Sequence, residues 1–282
     1  MTDTGKKIFL KGIIRRIKLL KVLIDSISAK YHCPVCNTSI KHFNPLPEFY
    51  SDNLKKYGYR YRLEQAETLN YLEYSCPLCG ASDRDRLYAL YIKSYLANEK
   101  KDREIKIIEF APSAPLSHFI RKLIALTGEN ASYRTADMNM DSVDDKVDIT
   151  DMSLYDDNMF DFFICSHILE HVSDDRKALH ELYRILKPWG MGILMAPIVL
   201  GLTEIDEDPS IKEESEGWRR FGQYDHVRIY SKDGFMKRAK EVGFSIHQYG
   251  KEHFGEKIFT QSGISKQSIL YVVEKVIRAG NK

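Results

Sequence analysis

The spacing of hydrophobic positions changes twice along this chain. Ile13, Ile17, Leu20, Ile24 and Ile27 recur at intervals of four, three, four and three, which is the spacing of one helix face. Between residues 31 and 82 no period holds, and "FNPLPEFY" reads as an irregular connection. From residue 83 onward, short apolar runs alternate with helical periods. Residues 84–98 predict a helix and 104–110 a strand. Residues 115–127 predict a helix with Leu116, Phe119, Ile120, Leu123 and Ile124 on one face, closed by Gly128. "ASYRTADM" and "KVDIT" follow as strands, and the continuous run "FDFFICS", 160–166, as a strand buried on both faces. "SDDRKALHELYRILKPWG" predicts a helix capped by Ser173, and "MGILMAPI" a strand. "SKDGFMKRAKEVG" predicts a further helix, with "FSIHQY" and "SILYVVEKV" as the last strands. This alternation predicts an α/β fold: a mostly parallel sheet with helices on both faces. Three parts are expected: a basic helix over 1–30, a small cysteine-bearing unit over 31–82, and the sheet domain over 83–282.

Charge changes the picture only at the N-terminus. The whole chain carries a net +2, but residues 1–28 hold seven Lys/Arg against Asp3 and Asp25, so the rest is mildly acidic. Lys11, Arg15, Arg16, Lys18 and Lys21 interrupt every apolar run there, which argues against a secretory signal and a membrane span. The expected roles are docking on the chain's own domain or a partner, or peripheral contact with an anionic membrane surface through residues 1–28. The expected location is cytoplasmic, with peripheral contact at the inner membrane surface.

Four of the five cysteines form two near-copies of one turn, Cys33-Pro-Val-Cys36 and Cys76-Pro-Leu-Cys79-Gly80. Two residues between thiolates let both sulfurs face one ion, and two such knuckles complete a tetrahedral zinc-ribbon shell. The 39 residues between them exceed what a ribbon needs, so a small insertion is expected there. A four-cysteine shell has no open position, so this zinc would be structural. Residues 31–100 hold nine Lys/Arg against eight Asp/Glu, too even a balance to grip a phosphate backbone. Nucleic acid is therefore not the expected partner.

In the sheet domain the tracts run "IIEFAPSAP", "YRTADM", "VDITDM", "FDFFICSHILEHVSDDRKALHELYRILKPWGMGILMAP" and "EVGF". This succession resembles the class I S-adenosylmethionine-dependent methyltransferases, most specifically over residues 160–197. It is closest to a subset with an N-terminal four-cysteine unit and the tract "RFGQYDHVRIYS". The resemblance implies a Rossmann-like sheet that binds S-adenosylmethionine at the carboxyl ends of its strands. Ala111, Pro112 and Ser113 would form the turn against the methionine end, with Glu109 facing the amino group. Asp137 and Met138 would meet the ribose, Asp148 and Ile149 the adenine, and Ser166 the end of the strand beside it. The turn departs from the usual pattern: it holds two prolines and no glycine. A nicotinamide-binding reading is weaker, because no G-x-G-x-x-G is present.

Candidate bases follow the fourth strand (His167, Glu170, His171) and lie in the later tract (Asp225, His226, Arg228, Tyr230). His167, His226 and Arg228 are the expected catalytic residues, with His226 and Arg228 alternating on an extended segment and Arg228 gripping a polar acceptor. His171 reads as helix-entry structure. His167 to His171 spell H-x-x-E-H, but a peptidase site needs a continuous helix, and here the segment leaves a strand. The expected reaction is methyl transfer to a hydroxyl or similar group of a sugar or lipid-linked glycan in surface-polysaccharide assembly. The alternatives are an RNA methyltransferase and a non-catalytic scaffold with a vestigial cleft.

Overall fold

The computed structural model describes residues 29–98, 103–128 and 130–276. The basic helix expected over 1–30, and the membrane contact assigned to residues 1–28, fall outside this range apart from residues 29 and 30. Among the described residues no helix is long and apolar enough to cross a membrane.

The first knuckle sits on an antiparallel hairpin, β1 (Tyr31–Cys33) and β2 (Thr38–Ile40). Then come α1 (Glu48–Tyr57) and α2 (Asp83–Asn98). The sheet domain follows with β3 (Ile105–Phe110), α3 (Ala114–Thr127), β4 (Ala131–Asp137), β5 (Asp145–Lys146), β6 (Phe160–Ser166), α4 (Asp175–Ile185) and β7 (Leu186–Met195). The chain continues through β8 (Asp206–Glu207), α5 (Glu214–Phe221), β9 (Arg228–Ile229), α6 (Lys232–Val242) and β10 (Ser245–Tyr249). It closes with α7 (Lys251–Phe254), α8 (Glu256–Gln261) and β11 (Leu270–Glu274).

Among the described residues, the main sheet has seven strands in the order β10-β11-β7-β6-β3-β4-β5. The pairs from β7 through β5 are parallel, whereas β11 runs antiparallel to both β7 and β10. From β3 the chain winds outward through β4 and β5, then returns to place β6 on the other side. That reversal opens a crevice at the carboxyl ends of β3 and β6, where open α/β sheets bind ligands. Strand β6 is central because Phe160 to Cys165 are all buried. Its one charge, Asp161, is matched by Lys187 Nζ at 2.7 Å and by Arg103, and it accepts the Lys106 N–H.

The helix expected to run from a Ser173 cap to a stop at Pro188–Gly190 is shorter, Asp175–Ile185, with Asp174 as its cap. Sheet pairing overrides the helical period. Phe160 pairs with Leu186, and Trp189 N–H donates to Lys275 O, which draws residues 186–190 into β7.

Several side chains join the cysteine unit to the sheet domain, among them Thr68, Asn70 and Glu67, and one is buried completely. Arg86, on the first turn of α2, is 0% exposed. Its five N–H groups donate to Ser262 O, Tyr74 O, Ala81 O, Glu73 O and Gly263 O, and its guanidinium stacks 3.8 Å from the centre of the Phe43 ring. Gly263 is required opposite it, since a Cβ there would lie 2.4 Å from Phe43. Replacing Arg86 by Met leaves several buried carbonyls without a donor, at about 1–3 kcal/mol each. Arg86→Met should therefore lower the thermal midpoint strongly and Arg86→Lys by less; equal midpoints for Met and wild type would contradict the bracing role.

Candidate active site

The glycine-free turn after β3 adopts the geometry that glycine usually supplies. Ala111 has φ 48°, in the left-handed region, at a cost of roughly 1 kcal/mol for a residue with a Cβ. Its N–H donates to Ala136 O, Ser113 caps α3 by accepting the Leu116 N–H, and Pro115 occupies the first turn, where no donor is missed. Glu109 holds the turn from beneath. Its carboxylate accepts the Ser113 N–H and the Ser117 and Tyr133 hydroxyls. Asp85 holds it from the side, accepting Ser113 Oγ at 2.8 Å. Asp85 also forms a reciprocal cap with Ser82 at the start of α2, directly after the second knuckle.

Three cavities open at this edge of the sheet, and His167 lines all of them. The first, of about 290 Å³, lies over the β3 turn and is bounded by Glu109, Ala111, Ser113, Ser166 and Arg84. The second, of about 370 Å³, is bounded by Asp137, Met138, Asp148 and Ile149 beyond β4 and β5, and shares Phe110 and Ala111 with the first. One oxygen of Asp137 accepts the Asn139 and Met140 N–H groups, leaving the other toward a ligand. The expected cofactor residues thus come together along one run of two confluent cavities. Pro112 lines neither, and Ser166 Oγ is engaged with Tyr88 Oη at 2.7 Å.

The third cavity, of about 170 Å³, is the one the sequence did not foretell. Half of its lining residues come from the insertion between the two knuckles, including Tyr50, Tyr59, Arg62 and Tyr74; Phe221, His167 and His226 face it from the sheet domain. Arg84 lines both this cavity and the first, and among the described residues its guanidinium has no hydrogen-bond partner.

Around the junction, buried groups converge. His167 leaves β6 in the left-handed region, φ 57°, with Nδ1 3.1 Å from Glu170 Oε1. His226 Nε2 lies 4.0 Å from the same oxygen, and His171 Nδ1 lies 3.2 Å from Asp225 Oδ2. Burial, then the Arg84 charge, lowers the His167 pKa, so its imidazole is neutral. Burial likewise holds His226 at about 4. For Glu170, burial acts to raise the pKa, but its interactions with His167, His226 and His171 outweigh this, and the net shift is downward.

Arg228 lines none of these three cavities. It is 1% exposed and donates to Leu169 O, Val172 O, Ser173 O and Glu207. The assignment of Arg228 to substrate gripping is corrected: it braces the 167–173 turn. The same tract adds Val227 N–H to Glu170 O, and Tyr230 Oη to Asp175. Residues 167–173 form turns rather than a helix, in keeping with the rejected peptidase reading.

The four knuckle cysteines lie together, with Sγ–Sγ distances of 3.8 Å (Cys33–Cys79) and 3.9 Å (Cys36–Cys76). A tetrahedron with Zn–S bonds of about 2.3 Å has edges of about 3.8 Å. Asn37 and Gly80, each just after a second cysteine, both have positive φ, so the two knuckles share one turn geometry. The sulfur set fits a tetrahedral zinc ion.

Residues 112–194, from the β3 turn to the end of β7, match the family described as a methyltransferase domain. Over these residues the chain carries a methyltransferase domain. No curated protein matches its sequence at a significant level. Among solved structures, the domain is similar to the CurJ carbon methyltransferase (TM-score 0.45, 13% identity, covering 69% of this chain and 58% of that one). It is also similar to an S-adenosylmethionine-dependent methyltransferase from Mesorhizobium loti (0.41, 11%, 67% and 97%) and to the [4+2]-cyclase SpnF (0.40, 13%, 84% and 100%). The chain thus spans little more than half the length of the first of these.

Two measurements test this description of the methyltransferase domain. Burial raises the Glu109 pKa to about 7, against the hydrogen bonds from Tyr133, Ser117 and Ser113. Because its folded value lies above the ordinary 4.5, its stabilising share is complete below that pH and is lost as pH rises through about 7. The difference in thermal midpoint between wild type and Glu109→Gln should shift over that window; a constant difference would refute the assignment. Metal analysis should find a cysteine-bound zinc that Cys76→Ser releases, with a lower midpoint.

Proposed function

We propose that this protein transfers a methyl group from S-adenosylmethionine to a hydroxyl of a sugar, one carried on a nucleotide or lipid phosphate. The observation that carries the reading is the meeting of all three cavities at His167. The residues present fit the cofactor: the two confluent cavities lie at the switch point of the sheet, with a carboxylate at each expected strand end. Asp137 would hold the ribose, Asp148 and Ile149 the adenine, and Ala111 and Ser113 the methionine end. When bound, S-adenosylmethionine supplies an electrophilic methyl group on a sulfonium.

The chain's own work is positioning and proton handling. His167 is neutral, and its Nε2, buried without a partner among the described residues, is free to accept the proton of an acceptor hydroxyl. His226 closes the same corner. The acceptor cavity is close to the roughly 150 Å³ that encloses one benzene ring, so it takes one ring at a time. Tyr50, Tyr59, Tyr74 and Phe221 supply aromatic faces for it, while Arg62 and the unpaired Arg84 favour an attached phosphate. The link to surface-polysaccharide assembly, with a zinc-held N-terminal unit, rests on the sequence resemblance.

Calorimetry with S-adenosylmethionine should give binding that Asp137→Ala weakens at least tenfold and His167→Asn leaves near wild type. Methyl transfer assayed on nucleotide sugars, lipid-linked glycans and RNA should appear with the sugars and disappear in His167→Asn. Absence of cofactor binding by folded wild type would end the proposal, and transfer to RNA alone would replace the acceptor.

A further inference from the structure

We propose that Glu170, His171 and His226 bind a divalent transition-metal ion between the cofactor cavities and the acceptor cavity. Glu170 is 0% exposed, and among the described residues neither carboxylate oxygen has a hydrogen-bond donor. The His167 Nδ1 is near one of them but out of line for a bond. A buried carboxylate without donors is costly to ionise, and such groups are matched by a cation or a metal. His226 Nδ1 is also buried without a partner. One ligand atom from each of the three residues lies within 4.8 Å of the others. Donors around an ion with bonds of about 2.1 Å stand roughly 3.0–4.2 Å apart, so small side-chain rotations close the set.

A second feature points the same way. His171 Nδ1 faces the Asp225 carboxylate at 3.2 Å, which leaves Nε2 for an ion. A carboxylate behind a ligating imidazole is the usual arrangement that fixes its tautomer and raises its basicity. The frame is stiff: Val227 N–H and Arg228 tie the 225–228 segment to the backbone of the 169–173 turn. Two imidazoles and a carboxylate suit manganese, iron, cobalt or zinc better than magnesium or calcium.

Three protein donors leave coordination positions open. His226 lines the acceptor cavity and His171 the cavity beyond β4, so an acceptor oxygen on the ion would sit between them. A metal-bound hydroxyl loses its proton far more readily. Its O–H bond would break with the electron pair kept on oxygen and the proton passing to His167. This deepens the methyl-transfer reading and rests on it for its catalytic meaning, since it selects an oxygen acceptor over carbon; the binding itself does not depend on it.

The test is titration of zinc-loaded full-length protein with Co²⁺, followed by calorimetry and visible absorption. One further ion should bind without thiolate charge-transfer bands, and His226→Ala and Glu170→Gln should each weaken it at least tenfold while the cysteine-bound zinc stays. Glu170→Gln keeps shape and volume; if it fails to fold, His171→Ala takes its place. No uptake of Co²⁺ or Mn²⁺ by wild type, or uptake unchanged in the folded variants, overturns the proposal. S-adenosylmethionine calorimetry is run separately. Cofactor binding without metal binding overturns only this inference, and metal binding without cofactor binding overturns only the proposed function.

Discussion

One buried guanidinium anchors the assembly of this molecule. Arg86 places all five of its donors on main-chain carbonyls from the second knuckle, the stretch before it and the loop after α8, and matches no carboxylate among them. Such a cation is tolerated in an interior only because every N–H is satisfied and an aromatic face lies against it. With the Glu67–Tyr271, Asn70–Gly263 and Thr68–Ile269 hydrogen bonds, it holds the cysteine unit on the sheet domain. Its neighbours exploit that fixed position. Asp83 accepts the Asn70 N–H, Arg84 enters the cavities, and Asp85 holds Ser113 of the cofactor turn. Four consecutive residues at one helix start thus connect the cysteine knuckles, the insertion and the strained turn at Ala111.

The reactive corner is built by a comparable division of labour. The turn 167–173 supplies His167, Glu170 and His171, and the tract 225–231 supplies everything that holds them. Asp225 pairs with His171, Val227 with the Glu170 backbone, and Arg228 with three carbonyls of the turn. Burial then does the chemical work. It leaves polar atoms of Glu170 and His226 without a hydrogen-bond partner among the described residues. The insertion between the knuckles closes the opposite side with aromatic rings, so the N-terminal unit walls the third cavity.

Much of this was legible in the amino-acid order. Continuous apolar runs and capped amphipathic helices located the β3, β6 and α3 elements within a residue or so, because local sterics and burial act over a few neighbouring residues. The duplicated C-P-x-C turns predicted their own convergence, since two equal knuckles can share one tetrahedral centre. The strand-end carboxylates Asp137 and Asp148 followed from the logic of open sheets. Arg228 did not follow. Alternation along an extended segment placed it beside His226, but only the packed structure supplies the carbonyls that occupy it. The short α4 was also hidden, because pairing of residues 186–190 with β6 and the chain after β11 outweighs their helical period.

The sequence by itself determined the kinds of groups present and their local geometry: strands, caps, knuckles and the small residues of the β3 turn. Tertiary structure alone decided which distant groups meet. His226 stands 56 positions from Glu170, and Tyr50 and Tyr59, which line the third cavity, lie more than a hundred from both. No pattern of neighbours encodes such pairings. They arise when burial of the apolar faces fixes the sheet order, and the leftover polar atoms must then find one another at its edge.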